Sequence, residues 1–324
     1  MTTHKLRFAL FGNIYQAKKS ALVKKLLCCL ESYGAEVFID RSFYDYLTRE
    51  LQLDINYKGL FEGNRFDADF AISMGGDGTF LQTAMRVGNK QIPIIGINMG
   101  RMGFLADVSG DDIEATIDSI YNENYRLEGR SVLEVELLGQ GARGKGQEDT
   151  SASCKASSSQ IHSSRPLPPH SSHYPYALNE VAVLKRDNSS MISIRVDING
   201  EYLTTYQADG LIINTPTGST GYALSVGGSI MSPNAAVLGI TPVAAHSLNA
   251  RPITICDNAE ITLSVSSRSH NFLVAIDGRS ETCTEDMRLR IRKAPYTIQV
   301  LKRYNSSFFR TLREKLAWGT DIRN

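Results

Sequence analysis

At 324 residues the chain exceeds the size that one hydrophobic core usually serves, so two domains are expected. An apolar fraction of 42% with 21% charged residues excludes a disordered or fibrous chain, and 35 basic against 34 acidic residues leave no global basic field for nucleic acid or an anionic membrane. Residues 1 to 20 hold no apolar leader-like run, no stretch reaches the roughly 18 apolar residues of a membrane span, and five scattered cysteines without C-x-x-C spacing argue against a disulfide framework or a structural zinc site, so a cytoplasmic protein is expected.

Leu6 to Phe11 is a short apolar run closed by Gly12 and Asn13, and Lys18 to Leu30 follows with helical spacing at Ala21, Leu22, Leu26, Cys29 and Leu30. Strands are expected at Ala35–Ile39, Asp69–Met74 and Ile92–Ile97, with helices at Phe80–Val87 and Asp111–Tyr121. Strands alternating with helices at this spacing give βα units on a parallel sheet, because parallel neighbours need a crossover and the helix supplies it.

After Gly129 the period becomes two: Leu133, Val135 and Leu137 alternate with polar residues, as do Ile192, Ile194, Val196 and Ile198. Asn199-Gly200 then has the residues a type I′ hairpin demands. Ile261–Val265, Phe272–Ile276, Leu289–Ile291 and Ile298–Val300 continue the strand series, so the second domain is β-rich. Residues 139–173 carry glycines, serines and the Pro166, Pro168, Pro169 cluster with few apolar side chains, which predicts a disordered surface insertion. Its His162, His170 and His173 are expected to be solvated rather than metal ligands. Ser306 or Ser307 opens a last helix with Phe308, Phe309, Leu312 and Leu316 on one face and Gly319 at its end, expected to return to the first domain. The division is thus 1–130 with 301–324, and 131–300.

The chemistry concentrates in Met74-Gly75-Gly76-Asp77-Gly78-Thr79-Phe80, where a buried strand meets a helix. Three glycines in four residues let backbone approach a ligand closely, and a helix start offers amides to phosphate, so Gly75, Gly76 and Thr79 are read as a phosphate loop. The run is neither a Walker A nor G-x-G-x-x-G. A carboxylate amid phosphates is costly, so Asp77 is read as a proton acceptor or metal holder, against the plainer reading of an Asx turn or helix cap. Further motifs follow: the glycine turn Asn98 to Leu105, Asn179-Glu180 interrupting an apolar strand, Asp209-Gly210, and Thr215-Pro216-Thr217-Gly218-Ser219-Thr220-Gly221-Tyr222, whose hydroxyls and amides suit ribose, amide or phosphate groups.

Taken in order, these motifs resemble NAD kinases over nearly the whole chain outside 139–173. The GGDGT run alone is shared with diacylglycerol and sphingosine lipid kinases; Asn179-Glu180, Asp209-Gly210 and the run at 215–220 are narrower. The resemblance implies phosphorylation of the 2′-hydroxyl of the adenosine ribose of NAD, with NAD and ATP (or another phosphoryl donor) as substrates and a divalent cation, Mg²⁺ or Mn²⁺, as cofactor. It also implies a homo-oligomer whose site a neighbouring subunit completes. Asp77 would be the catalytic carboxylate, with Gly78 beside it, and Asn179, Glu180, Asp209, Thr220, Gly221, Tyr222, Ala223, Leu224 and Ser225 would bind NAD. Gln207, Gly221 and Arg279 depart from the family's usual residues. The alternatives are a GGDGT-type lipid kinase and a catalytically idle NAD-binding regulator.

Loop length costs little in closure entropy, so deleting most of residues 139–173 is expected to leave folding and turnover nearly intact, and limited proteolysis should cut there first. Loss of soluble protein on deletion would refute this.

Overall fold

The computed structural model describes residues 5–12, 20–100, 103–139, 175–187 and 190–319. The expected insertion, apart from Gly139, lies outside the described residues together with its three histidines. Two compact units divide the chain: Met1–Val132, Ile230–Ala235 and Ala294–Asn324 form the first, Leu133–Ser229 and Ala236–Lys293 the second.

The first unit runs β1 (Arg7–Gly12), α1 (Ser20–Ser32), β2 (Glu36–Asp40), α2 (Arg41–Arg49), β3 (Gly59–Phe61), β4 (Phe70–Gly75), α3 (Asp77–Val87), β5 (Ile94–Asn98), α4 (Ile113–Tyr121) and the start of β6 (Arg126–Gly139). Its strands lie parallel in the order β3-β2-β1-β4-β5. Every residue of β4 and β5 is buried, as the near-continuous apolar runs of a parallel sheet require. Helix α1 buries Val23, Leu26 and Leu30 and leaves Ala21 exposed. Helix α2, absent from the sequence reading, is opened by Asp40, whose side chain accepts from the Phe43 N–H, and it buries Phe43 and Leu47 one turn apart. The strand order reverses between β1 and β4, and at that switch point Gly12 pairs with Met74 while Gly75 pairs with Asn98. The two glycine turns therefore lie side by side at the carboxyl ends of the strands.

The second unit continues with β7 (Tyr176–Ala177), β8 (Glu180–Lys185), β9 (Ile192–Ile198), β10 (Glu201–Ala208), β11 (Gly210–Asn214), α5 (Tyr222–Ser225), β12 (Val237–Val243), β13 (Ile253–Cys256), β14 (Ile261–Ser266), β15 (Asn271–Ile276), β16 (Arg279–Thr284) and the start of β17 (Met287–Lys302). It has two antiparallel layers, β10-β9-β14-β17 and β13-β12-β11-β8-β15-β16. Alternate residues of both, among them Ile194, Val196, Val183, Leu211, Leu263 and Phe272, meet in one core. Asn199 and Gly200 have φ of 51° and 83°, as a type I′ turn between β9 and β10 requires. The two strands expected at Leu289–Ile291 and Ile298–Val300 are parts of the single strand β17.

The chain ends in α6 (Phe308–Leu316), which belongs to the first unit. Leu312 is buried and the Phe308 ring lies 6.2 Å from that of Phe104. Phe309, expected on the same face, is 62% exposed, because one residue along a helix turns the side chain by about 100°. Among the described residues no helix is long and apolar enough to cross a membrane, and Cys28, Cys29, Cys256 and Cys283 are free thiols.

Candidate active site

In the first unit, the glycine loop joins β4 to α3, which begins at Asp77, three residues before the expected start. Gly76 is the N-cap, so Asp77 does not cap the helix. Its carboxylate instead reaches the neighbouring turn: Oδ2 accepts from the Phe104 N–H at 2.9 Å, and Oδ1 from the Leu105 and Ala106 N–H groups, both at 3.0 Å. Lys315 Nζ, from α6, donates to Oδ2 at 3.3 Å and stands 4.5 Å from the centre of the Phe104 ring. Asn98 braces the same turn, accepting from the Gly100 N–H and donating to the Ala106 carbonyl. Gly103 is required here, since a Cβ would fall 1.9 Å from Asp77 Oδ1.

The loop glycines differ in what they do. A Cβ on Gly75 would meet Thr79 Oγ1 at 2.2 Å, so Gly75 and the buried Thr79 are a packed pair. A Cβ on Gly76 or Gly78 would meet nothing within 4 Å, and neither residue has the positive φ that favours glycine. The open space over these two is where an outside group can lie against the helix-start amides, which precede the first intrahelical bonds, from Thr79 and Phe80 to the Gly76 carbonyl.

In the second unit, the chain breaks between β7 and β8 at Leu178-Asn179. Asp277, at φ 46° in the β15–β16 turn, accepts from the N–H groups of Leu178 at 2.7 Å, Asn179 at 2.9 Å and Glu180 at 3.1 Å. Burial pushes its pKa up, against these three amides and the Arg279 charge. Thr215 Oγ1 donates to the Leu178 carbonyl at 2.6 Å and accepts from the Gly218 N–H, folding the Thr-Pro-Thr-Gly turn onto Asn179. Gly218 has no room for a Cβ, which would sit 2.0 Å from the Asn179 carbonyl oxygen.

Four buried atoms in this cluster lack a partner: Asn179 Oδ1, Glu180 Oε2, Asn214 Oδ1 and Thr217 Oγ1. Asn214 is the register partner of Glu180. Two of the four are amide oxygens and one is a carboxyl oxygen, so hydroxyl, amino or amide donors from outside the chain could satisfy them. The Glu180 carboxyl is raised to about 7 by burial and then by the Asp277 charge, opposed by the Tyr222 N–H. Gly221 faces it: a Cβ there would lie 2.9 Å from Glu180 Oε2.

Other predicted residues are placed differently. Thr220 Oγ1 and Ser225 Oγ bond carbonyls of their own turn, Tyr222 is exposed, Leu224 is partly buried, and Ala223 is buried in a small cluster with Ala182 and Ile212. Asp209 is not brought to this cluster. It pairs with Lys185 at 2.7 Å and lies next to the Gly210–Leu184 register pair, four residues along the strands from Asn214–Glu180, or about 14 Å. Asp277, Asn214 and Lys315 were not among the sequence candidates. Asp277-Gly278 after the apolar run Phe272 to Ile276 is a turn signal that could have pointed to the first; nothing local marks Lys315.

Residues 11–125 match the ATP-NAD kinase N-terminal domain and residues 178–303 the ATP-NAD kinase C-terminal domain. An NAD kinase of Bacteroides fragilis is 55% identical over 318 residues, covering 98% of this chain and 100% of that protein. One of Porphyromonas gingivalis is 37% identical over 317 residues, covering 98% and 99%. Among solved structures, yeast NADH kinase complexed with NADH shares the fold with a TM-score of 0.79 at 20% identity, over 99% of this chain and 90% of that one. An NAD kinase from Archaeoglobus fulgidus in complex with ATP does so with a TM-score of 0.65 at 22% identity, over 96% and 99%. The second-half match covers Asn179-Glu180, Asp209-Gly210 and the 215–220 run, the motifs that a lipid kinase sharing only GGDGT would lack. With both domains matched in order and relatives aligned almost end to end, the chain belongs to the NAD kinase family, the phosphotransferases that convert NAD to NADP.

Proposed function

We propose that this NAD kinase transfers the terminal phosphoryl group of ATP, or another phosphoryl donor, to the 2′-hydroxyl of the adenosine ribose of NAD, with Asp77 taking the hydroxyl proton. The observation that carries the reading is the Asp77 carboxylate, fixed by three backbone amides at the mouth of a loop whose Gly76 and Gly78 leave open space. The 2′-oxygen bonds to phosphorus as the bond to the leaving diphosphate breaks, and the proton moves to a carboxylate whose position is set beforehand.

Asn179 and Glu180, with Asn214 and Thr217 beside them, would receive the donors of NAD: ribose hydroxyls, the adenine amino group or the nicotinamide amide. Thr220, Gly221, Tyr222, Leu224 and Ser225 would line the pocket, with Ala223 holding their turn to the sheet. Asp209, five residues or about 17 Å along the strand from Asn214 in this cluster, fits a site shared between subunits of a homo-oligomer, each lending Asp209 to its neighbour. Among the described residues no group of three or more His, Cys, Asp or Glu could cage a metal, and the Asp77 oxygens are already bonded. A divalent cation would therefore enter as part of the substrate, on the donor's own phosphate oxygens. Cytoplasmic NAD and triphosphate pools suit such an enzyme.

Asp77→Asn keeps one oxygen for Leu105 and Ala106 but turns an NH₂ toward the Phe104 N–H and Lys315, so its melting temperature should fall. At a temperature where the variant is folded, NAD affinity should survive and NADP formation drop about 10²- to 10⁴-fold. A folded variant with near-normal turnover refutes the assignment. ADP formation should also stop in excess EDTA and return with Mg²⁺ or Mn²⁺; undiminished activity without them would remove the cation from the reaction.

Glu180 gives a pH prediction. Its folded pKa, about 7, is above the ordinary 4.5, so between these values the folded chain holds the proton that the unfolded chain has lost, and stability falls as pH rises through that window. Glu180→Gln should melt higher than the wild type at pH 8 and equal to it near pH 4. A difference independent of pH would show that the buried charge is not its source.

A further inference from the structure

The glycine loop sets a negative carboxylate where negative phosphates are to bind, and the chain has no G-x-x-x-x-G-K-[ST] lysine to offset them. A cation is nevertheless present, from the other end of the sequence. Lys315 Nζ lies 3.3 Å from Asp77 Oδ2, on the oxygen that also takes the Phe104 N–H, and it sits over the Phe104 ring at 4.5 Å. Both side chains are about one-third exposed, Lys315 at 32% and Asp77 at 30%, so the pair can be reached from outside, and Asp77 stands between Gly76 and Gly78, over which there is open space. Three of the four donors to Asp77 are backbone amides that cannot leave without unfolding the turn; the fourth is a flexible side chain that can.

We infer that Lys315 is the side-chain cation for the donor's phosphates at the glycine loop, held on Asp77 until they arrive. The inference rests on reading the loop as the donor site. A lysine is a point charge on a four-carbon stem, so Nζ can pass from a carboxylate to a neighbouring phosphate, which carries more charge, without moving α6. The Phe104 ring under the ammonium keeps it near both positions. When Nζ leaves, Oδ2 keeps the Phe104 N–H and regains a lone-pair direction for the hydroxyl proton. Donor binding and release of the Asp77 oxygen from Lys315 are then one event.

The test uses the full-length protein with NAD, ATP and Mg²⁺. Lys315→Met should raise KM for ATP roughly 10- to 100-fold, as expected for losing a charged hydrogen bond, with the equilibrium affinity for NAD within about twofold of wild type. Lys315→Gln should behave like Met, and Lys315→Arg, which keeps the charge, should recover most of the loss. KM for ATP should rise with salt less steeply in the neutral variants than in the wild type. Melting temperatures should stay close, because a part-exposed ion pair contributes little. An unchanged KM for ATP in both neutral variants, an equal loss of NAD and ATP affinity, or failure of Arg to restore what Met loses overturns the inference. A wild-type protein that makes no NADP overturns the reading of the loop instead, so the two failures are distinct.

Discussion

In each unit one aspartate takes three consecutive backbone N–H groups from a segment distant in sequence. Asp77 holds Phe104 to Ala106, and Asp277 holds Leu178 to Glu180. Three successive amides converge on one point only where the chain turns, and a carboxylate, with two oxygens and no donor of its own, can satisfy them all. Charge assistance makes these bonds roughly twice as strong as neutral ones. Leaving the amides unsatisfied would cost about 1–3 kcal/mol each, so these turns are among the most strongly specified parts of the chain outside its cores.

The arrangement gives the two aspartates different consequences. Asp77 is partly exposed, and in the proposed reaction its cradle would orient the proton acceptor; preorganisation of that kind would remove the need to reorganise dipoles as the proton moves. Asp277 is partly buried but strongly desolvated, and its charge falls on its neighbour: Glu180, itself desolvated, keeps a proton to near neutrality. The unpartnered oxygens of Asn179, Glu180 and Asn214 thus stand on a backbone that Asp277 and Thr215 have fixed. A polar cluster left this short of donors is unfavourable in isolation, and the deficit is what a ligand rich in donors would relieve.

How far the sequence could be read depended on burial. Strands β4, β5, β9, β14 and β15 declared themselves through continuous or alternating apolar residues, and Asn199-Gly200 through turn chemistry. Strands β10 and β16 did not, because they are the outer strands of their sheets and carry mostly exposed residues with little contrast between faces. Helix α2 was missed because only Phe43 and Leu47 face inward among polar neighbours, although Asp40 was a readable cap. The glycine loop was legible as a tight turn from a buried strand into a helix. What Asp77 holds was not, since its partners lie 27 to 29 residues on, and Lys315 is 238 residues away.

Glycine identity separates scaffold from site more finely than the motif does. Gly75, Gly103 and Gly218 are glycine because Thr79, Asp77 and the Asn179 carbonyl occupy the volume of a side chain, so their loss would damage the fold whatever binds there. Gly221 is intermediate: a Cβ would press on Glu180 Oε2, and a residue there sets how that carboxyl sits. Gly76 and Gly78 have ordinary φ and empty surroundings, so neither backbone strain nor internal packing accounts for them. The proposed function supplies a constraint from outside the chain: close approach of a ligand to main-chain amides, which any side chain would hold at a distance. In the GGDGT run, therefore, the first glycine and the threonine build the loop, and the second and third leave it open.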